Sequence, residues 1–65
     1  MKKNNLKEYR LKKGLTQYEA AKMLDITVTH VSLLERGERN PSFALLKKLA
    51  ELYGTTIDQL FFEEK

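Results

Sequence analysis

The sequence predicts an all-α domain, and three observations carry that prediction. No segment alternates apolar and polar residues with the two-residue period of a strand. Turn-forming residues at Gly14, at Asp25, from Gly37 to Ser42 and from Gly54 to Thr56 divide the chain into four or five segments of helical length. Thr16, Thr27, Ser42 and Thr56 each stand at the start of such a segment, where a hydroxyl satisfies a backbone N–H that the helix leaves unpaired.

The first helix runs from about Asn5 to Lys13, with Leu6, Tyr9, Arg10 and Lys13 on one side, and Gly14 supplies the left-handed residue that ends it. The second starts at Thr16, with Glu19 placed to return the bond as a capping box, and turns Gln17, Ala20, Ala21 and Leu24 inward. Thr27 caps the third, and Ile26 before it is placed to staple onto Val31. In that helix Val31 and Leu34 point one way, Thr29, Ser32, Leu33 and Arg36 the other, and Val28 lies at the margin. If one face is core, Leu33 faces water. Ser42 caps the fourth helix, read with Phe43, Leu46, Leu49, Ala50 and Tyr53 inward and Gly54 as its stop. Thr56 caps a short fifth, with Gln59 completing a weaker box and Ile57, Leu60 and Phe61 on its apolar side. Phe62 then turns about 100° away from that side and is expected to be exposed in a monomer.

Composition bounds what such a domain does. Sixty-five residues make one domain, residues 1–65, near the lower size limit for folding without disulfides or metal. There is no Cys, so disulfides, thiolate nucleophiles and zinc-thiolate sites are all excluded, and the lone His30 makes no metal site by itself. No apolar run approaches a membrane span and the start, MKKNN, lacks a secretory apolar region, so the expected location is the cytoplasm. The net charge of +3 is unevenly spread: residues 1 to 24 carry +5 and residues 25 to 65 carry −2. That asymmetry favours a polyanion such as nucleic acid, the alternative being a solvated lysine-rich face.

Only Asp25 and Ile26 separate Leu24 from the Thr27 cap. So short a break forces a steep crossing angle, the geometry of a helix-turn-helix spanning about residues 16–36, with small Ala21 letting the two backbones approach. Such a corner holds its second helix where the N-terminal half can enter a major groove.

With GLTQ at 14 to 17, Ala21, Leu24, Ile26, Thr27, Val31, LLERG at 33 to 37, NPS at 40 to 42, LLKKLAELYG at 45 to 54 and the terminal IDQLF, the chain resembles the Cro and phage-repressor type helix-turn-helix family, the xenobiotic-response-element-like regulators. The resemblance covers about Leu6 to Phe61. It implies a five-helix, lambda-repressor-like fold, binding of a double-stranded DNA operator, a homodimer, and a bacterial or phage repressor with no cofactor and no small-molecule substrate. It places Gln17 against a phosphate and assigns base reading to Val28, Thr29 and Leu33, with Ser32 beside them. Val28, Leu33 and the Thr29 methyl would then cover thymine C5-methyl groups, and the Thr29 and Ser32 hydroxyls would each add one ambiguous hydrogen bond. Without Gln, Asn or Arg at positions 28, 29 and 33, bidentate readout of adenine or guanine from them is excluded. The competing reading is that Leu33 packs on the fourth helix or on a second subunit.

Helix starts at Thr16, Thr27 and Ser42 present N–H groups to phosphates, joined by Arg10, His30, Arg36, Arg39 and Asn40. The resemblance further suggests that Arg10 and Glu35 pair across the first and third helices, with Arg10 retaining donors for a phosphate. A dimer is expected to bury Leu52 or Phe62 and to set two recognition helices roughly 34 Å apart. Two departures from the family stand out: Asp25 where Gly is usual, at a left-handed turn position, and Ala20 in place of a large aliphatic, leaving volume for Tyr18 or Met23 to fill. Leu11 and Tyr18 also look more exposed than the family pattern. A second function class is an antitoxin-like or adaptor module that binds a regulatory protein through Leu11, Tyr18, Leu33 and Phe62. Catalysis is the weakest: Ser32 and His30 do not face each other, and Glu63 and Glu64 stand at the chain end.

Overall fold

The computed structural model describes residues 4–62; Glu63 and Glu64 lie outside them. Five helices follow in order: α1 (Leu6–Lys12), α2 (Gln17–Leu24), α3 (Val28–Glu35), α4 (Phe43–Tyr53) and α5 (Ile57–Phe61), with no strand among the described residues. The expected caps are in place. Thr16, Thr27, Ser42 and Thr56 all hold extended backbone and accept the N–H three residues on, and Thr16 and Glu19 close a full capping box. Gln59 does not complete a second box, because its side-chain oxygen takes the Thr55 hydroxyl instead.

Each of the first three helices ends in the same double-bonded turn around a left-handed residue. At the end of α2 the Asp25 N–H reaches the Lys22 carbonyl at 3.2 Å and the Ile26 N–H reaches Ala21 at 3.0 Å. Gly14 and Gly37 make the same turn after α1 and α3. Asp25 is the one described residue other than glycine with positive φ, at 62°. The departure noted at this position is therefore a left-handed Asp inside an intact turn.

The core gathers Leu6, Ala20, Leu24, Leu34, Leu45, Leu49, Tyr53 and Leu60, with Tyr9, Leu15, Ile26, Ala50, Leu52 and Phe61 packed around it. The α4 stripe differs from the expected one: Phe43 is 70% exposed and Leu45 is buried. At 3.6 residues per turn the directions of Leu45, Leu49 and Tyr53 average about 120° from Phe43, so the first residue of the helix falls off the inner face. Ala20 is fully buried, yet Tyr18 and Met23 are both more than half exposed and do not fill the volume expected of them. Lys13 is likewise exposed rather than inward.

Two neighbouring amides fasten the start of α1 to the far end of the chain. The Asn5 backbone N–H bonds the Leu60 carbonyl at 2.8 Å and the Asn5 side chain bonds the Gln59 carbonyl at 2.9 Å. Asn4 donates to the Leu34 carbonyl at 2.8 Å while its oxygen accepts the Leu6 N–H at 3.0 Å. The Leu34 carbonyl, near the end of α3, therefore accepts twice, from Asn4 and from the Gly37 N–H at 3.1 Å.

Candidate nucleic-acid interface

The α2–α3 corner is rigid for identifiable reasons. Its two-residue break is fixed by the Asp25–Ile26 turn, Ala21 is buried at the crossing, and the Thr27 hydroxyl accepts the His30 N–H at 3.0 Å. Val31 and Leu34 are buried, so the N-terminal half of α3 is held with its other side outward. Val28 is 39% exposed and Thr29 is exposed beside it; His30 and Ser32 are half-buried. Leu33 is half-buried too, which corrects the expectation that it stands fully in water. The apolar tip of the corner is Val28, and Leu33 lies lower on the same flank.

Behind this surface sits a buried polar cluster. Arg10 Nε donates to Glu35 Oε2 at 2.6 Å and Nη2 to Oε1 at 3.3 Å, while Nη1 donates to the Leu15 carbonyl at 2.8 Å. Gln17 Nε2 donates to Glu35 Oε1 at 3.1 Å. The two charged side chains are 7% and 6% exposed. Glu35 closes α3, where the helix dipole disfavours a negative charge, so its carboxylate depends on the guanidinium and the amide. Tyr53 packs close enough to feel both charges: burial, reinforced by the Glu35 carboxylate and opposed by Arg10, pushes its phenol up to about 12.

This cluster changes two expected roles. Arg10 is buried with three of its five guanidinium N–H groups engaged inside the fold, so little of it is open to a phosphate. Gln17 stands at the start of α2, where a phosphate contact was expected, but its amide hydrogen bond runs inward to α3. The inward partner of Gln17 had no signal in the sequence beyond its place on the inner face of α2.

The other phosphate candidates remain outward. The hydroxyls of Thr16, Thr27 and Ser42 accept bonds from their own helices, which leaves the first two backbone N–H groups of α2, α3 and α4 without partners inside those helices. Arg39 and Asn40 are exposed in the segment after α3, and Arg36 lies 3.6 Å from Glu38 in an exposed pair. Of the two dimer candidates, Phe62 is 74% exposed, whereas Leu52 is half-buried against the core. Among the described residues no cluster of His, Asp or Glu could hold a metal ion, and no helix is long and apolar enough to cross a membrane.

Comparison with known proteins gives a consistent picture. A family model described as helix-turn-helix matches residues 6–60. The chain is 37% identical over 62 residues to an uncharacterized HTH-type transcriptional regulator of Methanocaldococcus jannaschii, covering 95% of this chain and 94% of that protein. It is 41% identical over 59 residues to the uncharacterized HTH-type transcriptional regulator YqaF of Bacillus subtilis, covering 91% and 76%. Among solved structures, the restriction-modification controller protein C.AhdI of Aeromonas hydrophila superposes with a TM-score of 0.78 at 35% identity, covering 88% of this chain and 86% of that one.

Proposed function

This chain belongs to the helix-turn-helix family of Cro and phage-repressor type, DNA-binding transcription regulators rather than enzymes, and we propose that it acts as a dimeric, sequence-specific repressor on a near-palindromic operator. The observation that carries the proposal is the outward N-terminal half of α3, where an apolar Val28 and a hydroxyl-bearing Thr29 stand exposed on a corner braced from behind by Arg10, Glu35 and Gln17. In this reading Val28 and Thr29 are the leading base readers, with Ser32 and Leu33 further along the same flank. The free N–H groups at the starts of α2, α3 and α4, with His30, Arg36, Arg39 and Asn40, hold the DNA backbone. Phe62 and Leu52 form the dimer contact, which sets two copies of α3 roughly one helical turn of DNA apart. The site of action is the cytoplasm, where the operator is.

The test is a binding titration against duplexes selected from a random pool, repeated over a range of salt. Affinity for the selected duplex should exceed that for random DNA and fall with salt by about 0.9 log units per tenfold salt for each phosphate neutralised. Equal binding to both at every salt concentration would count against the proposal. The exposed Leu11, Tyr18 and Met23 favour a second reading, a protein-interaction module that uses the same fold to hold a regulatory partner. Val28→Lys separates the two: it should abolish operator discrimination while leaving capture of a partner seated on α1 and α2 intact.

A further inference from the structure

We infer that the outer flank of α3 reads a C5-methyl group and not thymine as such, so that 5-methylcytosine substitutes for thymine in the bound sequence; this rests on the DNA-reading face proposed above. In the major groove thymine offers an O4 acceptor and a C5-methyl, and cytosine an N4–H2 donor with no methyl. 5-Methylcytosine combines the cytosine donor with the thymine methyl. Telling thymine from 5-methylcytosine therefore requires a side chain that separates O4 from N4–H2.

The flank has none. Among the four readers, Val28, Thr29, Ser32 and Leu33, there is no carboxylate, no amide and no guanidinium, and the neighbouring His30 and Arg36 are assigned above to the DNA backbone. Val28 and Leu33 are apolar and make no hydrogen bond. The hydroxyls of exposed Thr29 and half-buried Ser32 both donate and accept, so each satisfies O4 or N4–H2 equally well. What Val28, Leu33 and the Thr29 methyl do register is the presence of apolar surface on C5. Covering one methyl is worth about fourfold in binding. A surface with these groups ranks thymine with 5-methylcytosine, and uracil with cytosine. Methylation of cytosine C5 thus raises the rank of a sequence for this protein by about fourfold at each position that the flank covers.

The experiment uses the whole chain and an operator selected from a random pool. Each thymine of a half-site is replaced in turn by uracil, by cytosine paired with guanine, and by 5-methylcytosine paired with guanine. At the positions covered by α3, uracil should weaken binding about fourfold, and 5-methylcytosine should bind about fourfold tighter than cytosine. Val28→Ala, at an exposed position whose fold is checked by circular dichroism, should bring both ratios towards one at a single position. Equal binding of cytosine and 5-methylcytosine at every position, with the selected operator still preferred over random DNA, overturns the methyl inference and leaves the regulator intact. Failure of any duplex to exceed random DNA overturns the regulator itself.

Discussion

The α2–α3 and α4–α5 corners share one backbone design and serve opposite ends. Each has a left-handed residue, Asp25 at φ 62° and ψ 43° or Gly54 at φ 64° and ψ 41°. Each then has one bridging residue whose N–H returns to the preceding helix, Ile26 to Ala21 at 3.0 Å and Thr55 to Ala50 at 3.1 Å. Each ends in a threonine cap, Thr27 or Thr56. Yet the first corner delivers a helix that starts with exposed Val28 and Thr29, and the second a helix that buries Leu60 completely. Backbone chemistry sets the turn, and the side chains that follow decide which part of the helix is left to water. The braces differ as well: a buried ion pair holds the first corner, and the neutral amides of Asn5 hold the second.

Removing the charged brace should have the largest effect. Glu35→Ala leaves Arg10 buried without its counter-charge and should cost about 3–5 kcal/mol of unfolding free energy. Asn5→Ala, which removes the neutral side-chain bond to the Gln59 carbonyl at the other corner, should cost about 1 kcal/mol. Chemical denaturation of the two variants gives the contrast directly; equal losses would mean that the ion pair is not what sets the corners apart.

Alkaline titration tests the same brace through Tyr53. Its phenol has a folded pKa of about 12, above the unfolded value of about 10, so the stabilisation is complete below pH 10 and is lost as pH rises through 12. The denaturation midpoint should fall across that window, and Tyr53→Phe should flatten the fall. An unchanged pH dependence in Tyr53→Phe would show that the phenol does not report on the cluster.

The shared design predicts matched losses for the caps. Thr27→Ala and Thr56→Ala should each cost about 1 kcal/mol in thermal or chemical unfolding. The smallest effect separates the two left-handed residues. Asp25→Gly relieves a strained conformation and should stabilise by up to about 1 kcal/mol, whereas Gly54→Asp should destabilise by a similar amount. A destabilising Asp25→Gly would mean that the carboxylate makes a compensating interaction at its corner.

Much of this architecture was legible in the sequence because its signals are local. The four hydroxyl caps and the Gly14 and Gly54 stops depend on residues within four positions of one another, whereas the left-handed Asp25 came through the family resemblance. The Arg10–Glu35 pair, 25 residues apart, came only through the family resemblance. What was missed is non-local or a matter of phase. Asn4 and Asn5 read as a polar start, because their partners lie 30 and 54 residues away. Phe43 reads as core because it falls one turn before Leu46, and only packing shows that the stripe of α4 centres on Leu45, Leu49 and Tyr53. Leu33 reads as wet by angle alone, although a side chain at the edge of a helix face is partly covered by whatever packs beside it.

The bond from the Asn5 amide to the Leu60 carbonyl makes the described backbone a nearly closed ring, with its first and last helices locked to each other. Such a latch ties three elements together, because lifting α1 away also breaks its bonds to α5 and to the end of α3 that Asn4 holds. Opening therefore couples these helices, and α3 keeps its bearing for as long as α1 stays seated.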